Sequence, residues 1–201
     1  MKRTFVCVLS LATLLLQGCI LRSVHPFYKQ GDVTYRQSLE GQWKDGEGVG
    51  WRIHHNTFDN NSYELHCSKN GAEATLLGHL FTLGGELYLD VVPLSDNREE
   101  LTVFDLHMMP THSIARVDLV GNDQMIIRWF NEEWLHNMFR QNKIRIAHEV
   151  MIDPQAKNED DGAYLLTAST EELQKFILKY GKSDEAYGDT DLQLTLTRTA
   201  P

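Results

Sequence analysis

Nine histidines and 28 carboxylates in a chain of 201 residues raise metal chemistry first. His107 and His112 flank the corner Met108-Met109-Pro110-Thr111 and could converge with Asp105, Asp90 or His79. They are the candidate metal ligands. A divalent ion needs three or four N, O or S donors at fixed geometry, and no histidine pair here has a spacing that forces convergence. His148-Glu149 lacks the second histidine of a His-Glu-x-x-His helix. Scattered histidines on strand edges and turns fit equally well. Gly181-Lys182-Ser183 imitates the end of a phosphate-binding loop. Such a loop also requires a glycine five residues before Gly181, where Phe176 stands, and it opens a helix rather than ending one. There is no Gly-x-Ser-x-Gly elbow, and Asp59-Asn60-Asn61 lacks the spacing of a calcium loop. Trp51, Phe81, Tyr88 and Trp129, with Trp134, are candidates to line an apolar ligand cavity, with ordinary core packing as the competing reading.

The three cysteines separate by position. Lys2 and Arg3 precede an apolar run from Phe5 to Leu16, broken only by Ser10 and Thr13, and Leu16-Gln17-Gly18-Cys19 follows. A basic head, a short apolar stretch and small residues make an export signal. The run falls short of the roughly 20 residues that span a bilayer. Leu-x-Gly-Cys resembles the lipobox of bacterial lipoproteins. The resemblance implies that residues 1–18 are a signal peptide, that Cys19 is lipidated, and that acyl chains on Cys19 hold the protein to a membrane. Two or more such chains give stable anchoring where one is marginal. Ile20, rather than Asp, follows the cysteine, which in a Gram-negative envelope implies the outer membrane. Cys7 leaves with the signal. Cys67 then remains alone and alternates with Tyr63 and Leu65, on what reads as a buried strand face.

Removing residues 1–18 takes away two basic side chains and no acidic one, leaving 17 basic, 28 acidic and a net charge of −11. This balance argues against a nucleic-acid partner, whose affinity comes from Lys/Arg–phosphate contacts, and against docking on anionic headgroups. A chain this long has room for one real core.

Residues 19–40 read as the lipidated N-terminus and a tether, because 20–40 lack a clear period, although Phe27 and Tyr28 could dock on the domain. Residues 41–201 read as a single β-rich domain. Period-two patterns predict strands around Val49–Ile53, Tyr63–Ser68, Ala74–Leu83, Leu87–Val91, Leu101–Leu106, Ala115–Leu119, Met125–Trp129, Ala163–Thr167 and Leu192–Leu196. Gly84-Gly85 predicts a tight hairpin. Asn131 can cap a helix with Trp134, Leu135, Met138 and Phe139 on one face, and Asn158–Gly162 reads as an acidic turn. Ser169-x-x-Glu172 fits a capping box for a second helix with Leu173, Phe176, Ile177 and Tyr180 inward and Gly181 at its end. The expected fold is mainly β with two helices: an antiparallel meander forming a barrel or strongly curved sheet of about eight to ten strands, closed by the last strand, with the helices on one end or face.

Gly41-Gln42-Trp43 resembles the Gly-x-Trp signature that opens a lipocalin barrel, where the Trp packs near an arginine from a late strand; Arg198 is placed for that part. No Thr-Asp-Tyr signature accompanies it, and the helix near 131–142 is outside the lipocalin plan. Leu165–Gln174 and His107–Ser113 are similar to stretches of bacterial lipoproteins that carry no assigned activity. The resulting expectation is a non-enzymatic, lipid-anchored envelope protein with a binding or structural role and no dedicated cofactor. The alternative is a lipocalin-like carrier of an apolar small molecule.

Overall fold

The computed structural model describes residues 20–59, 61–69, 71–94, 107–151, 162–188 and 192–199. Cys19, Asp105, the strand expected at 101–106 and the turn at 158–161 lie outside the described residues.

Eight antiparallel strands close a barrel. β1 (Arg22–Ser23) precedes it; the wall then runs through β2 (Gly41–Lys44), β3 (Gly50–His55), β4 (Tyr63–Lys69), β5 (Ala72–Leu83), β6 (Glu86–Pro93), β7 (His112–Val120) and β8 (Gln124–Trp129), each paired with the next from β2 onward. The chain then leaves the wall for helix α1 (Glu132–Arg140), β9 (His148–Met151), β10 (Ala163–Leu166) and helix α2 (Thr170–Tyr180). It returns as β11 (Gln193–Arg198), which slots between β8 and β2 and completes the circle. The expected closure by the last strand is what the chain does. β1, β10 and β9 form a flap that extends from the start of β7, with β1 parallel to β10.

Local chemistry sets these elements. Gly84 and Gly85 take φ of 61° and 87°, the positive values a tight hairpin needs at both central positions. The Asn131 side chain accepts hydrogen bonds from the Glu133 and Trp134 amides at the start of α1. Ser169 and Glu172 form the capping box of α2, each pairing an amide the first turn leaves unsatisfied.

Two cores lie on either side of one sheet. Trp43, Ile53, Leu65, Leu80, Leu89, Val117, Met125 and Leu196 fill the barrel. Phe81, Tyr88 and Ile114 point outward from β5, β6 and β7 into a second core, roofed by Leu173, Phe176 and Ile177 of α2 and by Phe130 and Leu135. The wall β5–β6–β7 is thus buried on both faces.

Residues 20–39 do not hang free of the domain. They form a strap across this outer face, with Leu21 and Phe27 fully buried and Val33 bridged to Phe81. The strap ends in a 3-10 turn (Gln37–Leu39) that puts Leu39 into the barrel end. There the Arg198 guanidinium lies 4.1 Å from the Trp43 ring centre. It donates to the carbonyls of Glu40 (2.8 Å), Asn122 (3.1 Å) and Ser38. Gly41 has φ of 129°, and a Cβ there would sit 2.6 Å from Arg198 Nη1. Glycine is required at this position both by the backbone and by the space the arginine takes. Arg198→Ala should lower the unfolding free energy by about 1–3 kcal/mol, since it removes a partly exposed cation–π contact and charged hydrogen bonds. Urea denaturation measures this, and Arg198→Lys should recover only part, because an ammonium cannot reproduce the fork.

Candidate functional site

The polar groups that demand explanation lie between the strap and the doubly buried wall. Asp90 sits on the outward side of β6 with its side chain fully buried. One carboxylate oxygen accepts from the Phe27 amide at 2.8 Å. The other lies 2.7 Å from His112 Nδ1 on β7. Opposite Asp90 on β5 is His79, 4% exposed, whose Nε2 is 2.8 Å from Asp59 Oδ2. Tyr28 of the strap stacks on the His79 ring at 4.4 Å. Burial, then the nearby Asp90 and Asp59 charges, push the Tyr28 hydroxyl pKa up to about 12. The hydrogen bond from His79 holds the Asp59 carboxyl below its usual range of about 3.8. His79 Nδ1 is buried and has no hydrogen-bond partner among the described residues.

His112 and Asp90, two of the groups expected to converge, do meet. Both oxygens of Asp90 are committed to protein donors, however, and His107 is exposed in its corner. Among the described residues no group of three His, Cys, Asp or Glu side chains is placed to hold a metal ion. The pair pins the strap; it is a latch. A charged residue inside Leu87–Val92, a run otherwise apolar at successive positions, is the sequence sign of such a site. Apolar runs without alternation mark strands buried on both faces.

The four aromatic candidates divide between the two cores. Trp51 and Trp129 line the barrel interior. Phe81 and Tyr88, paired across β5 and β6, face outward beneath α2 and take no part in the interior. Adjacent strand residues point to opposite faces, and Leu80 and Leu89 take the inner one. Trp134 packs between Phe176 and Tyr180 in the outer core. The apolar interior retains a cavity of about 20 Å³, measured as space open to the centre of a water-sized sphere. That admits roughly one water molecule.

Larger concavities open on the outside. On the same measure a groove of about 250 Å³ at the barrel rim is lined by Lys44, Trp51, Arg52, His66, Cys67 and Glu73. Cys67 faces inward as expected but is half-buried at this rim; desolvation raises its thiol pKa, keeping it in the less nucleophilic thiol form. A second groove of about 310 Å³ runs between α2 and residues 143–146. Lys143, Arg145, Lys175 and Lys179 border it, above Phe176 and Tyr180.

Known protein families, curated proteins and solved structures give no match to the chain.

Asp90→Ala should cost about 3 kcal/mol, because it strands a buried amide and imidazole. Limited proteolysis should then cut within residues 20–35 before the barrel strands. Asp59 behaves differently. Its folded pKa lies below 3.8, so its stabilisation is complete above that value and disappears as pH falls through the lowered pKa. The gap in unfolding free energy between the wild type and Asp59→Asn should close below about pH 3.8, as read by urea titration at stepped pH.

Proposed function

We propose that this protein is a lipid-anchored component of a bacterial envelope, held through acyl chains on Cys19. Its barrel is a packed scaffold that binds or braces another envelope component on its outer surface. It is a non-enzymatic role. The observation that supports the scaffold reading over a container is the filled interior: about 20 Å³ of space, against the several hundred Å³ of an ordinary small-molecule pocket. The anchor reading draws on Leu16-Gln17-Gly18-Cys19 after a basic, apolar leader. The groove bordered by Lys143, Arg145, Lys175 and Lys179 is the surface best suited to an anionic partner: these four cations outnumber the one carboxylate on its lining, Glu172, which is engaged in the α2 capping box.

The second reading, a carrier of an apolar small molecule, is supported by the eight-strand up-and-down barrel and by Arg198 stacked on Trp43 at its closed end. Eight strands suffice either for a filled core or for one small ligand.

Intact mass of protein recovered from membranes should correspond to a chain starting at Cys19 with added acyl mass, and Cys19→Ser should abolish both the acyl mass and cleavage before residue 19. Unchanged processing and retention in that variant would sink the anchor. Native mass spectrometry of residues 20–201 should show an empty domain; a stoichiometric co-purified lipid would overturn the scaffold reading in favour of the carrier.

A further inference from the structure

The anchor has no slack. Ile20 forms an antiparallel bridge with Asn131, and the Leu21 amide donates to the Phe130 carbonyl at 3.1 Å. Leu21 itself is 1% exposed. Residue 19 is bonded directly to residue 20, so their Cα atoms are about 3.8 Å apart. The headgroup layer on each side of a bilayer is only roughly 5–8 Å thick. A domain whose sheet starts one residue from the acylated cysteine cannot stand off from the membrane or tumble above it.

The flap shows which surface this brings to the lipid. Arg22 pairs with Leu165, and Ala163 pairs with Met151. Extended two residues beyond β1, that register brings Ile20 level with Ala163 of β10 and Met151 of β9. At a strand spacing of about 4.8 Å, Met151 is roughly 10 Å from Ile20. Val150 and Met151 are 45% and 38% exposed, a pair of large apolar side chains at the end of the flap nearest the anchor. Arg22, three residues from the cysteine, is only partly buried and can reach a lipid phosphate while its stem lies along the sheet. From these contacts we infer that the flap end formed by Ile20, Val150 and Met151 is a lipid-contacting foot. It fixes the barrel in one orientation, with the β7–β8 hairpin on the bilayer side, because β1 runs antiparallel to β7 and its anchored end lies toward that hairpin. This rests on the acylation of Cys19 proposed above.

The test uses the full chain, exported with its own leader and reconstituted in phosphatidylethanolamine–phosphatidylglycerol vesicles in which a fraction of the lipids carries a nitroxide high on the acyl chain. Bimane is attached to Met151→Cys or Val150→Cys, and to Ala72→Cys as the distant control, each in a Cys67→Ala background. Gly78, Val91, Ser113 and Arg22 are level across the sheet, and exposed Ala72 lies six residues further from the β7–β8 hairpin, about 20 Å at 3.4 Å per residue, while Ile20 lies on the hairpin side. Quenching at 150 or 151 should exceed that at 72 at least threefold. Equal, weak quenching at all three sites in protein whose Cys19 carries acyl mass would overturn the fixed orientation and leave the anchor standing. Absence of acyl mass at Cys19 would remove the anchor, and the proposal with it.

Discussion

A carboxylate with no access to water must have partners, and Asp90 imposes that condition on the centre of this fold. Burying an ionised group without compensation costs more than any one contact returns. Asp90 sits on the outer side of a wall whose inner side is already barrel core, so its partners must come from elements laid over the wall. The Phe27 amide and His112 supply them. With Phe27 held, Tyr28 meets His79, Val33 meets Phe81, and Leu39 reaches the barrel end. Helix α2 closes the same layer, its Thr170 hydroxyl donating to the Pro26 carbonyl at 2.8 Å. The strap, the helix and the wall therefore form one cooperative layer on the barrel.

This arrangement bears on what the barrel is for. Strands buried on one face only can line a cavity, because the solvated face tolerates breathing. Here β5, β6 and β7 are clamped from outside by α2 and the strap and filled from inside by Leu80, Leu89 and Val117. A close-packed interior of this kind expands only at the expense of dispersion contacts on both sides. Chemistry and recognition are then left to the rim and to the grooves, where polar and charged side chains meet solvent.

Features that depend on near neighbours in the chain were legible in the sequence. The capping box at Ser169, the Asn131 cap, the Gly84-Gly85 hairpin and the alternating strands each declare themselves within a few residues, and the structure contains those that fall among the described residues. Gly41-Gln42-Trp43 and Arg198 were legible as a pair through motif, and they stack. Features set by distant partners were not. β1 has two residues and no period, so its segment, with Arg22, His25, Pro26 and Lys29, read as a tether. Its apolar anchors Leu21, Phe27, Val33 and Leu39 recur every six residues, too widely for helix or strand. β9 carries His148, Glu149, Val150 and Met151 with three of the four exposed, and pairing with β10 rather than pattern makes it a strand. Phe81 and Tyr88 were grouped with Trp51 and Trp129 as aromatic, but a strand apolar at every position does not reveal which face is inside.

Net charge is a global number, while a groove answers to its own borders. An acidic chain repels anions on average, which argues against an anionic surface as a general partner. Screening limits exposed charges to about 8–10 Å of influence at physiological salt, so the potential in any groove is set by the side chains that border it. Lys143 and Arg145 come from the segment leaving α1, while Lys175 and Lys179 lie one turn apart on α2. Neither pair is conspicuous in the sequence, and they share one groove only because Tyr180 and Phe176 pack the helix against that segment. Under the proposed acylation the same reasoning applies at the flap, where one covalent step joins Cys19 to Ile20. Where a chain is held decides which of its charges a surface meets.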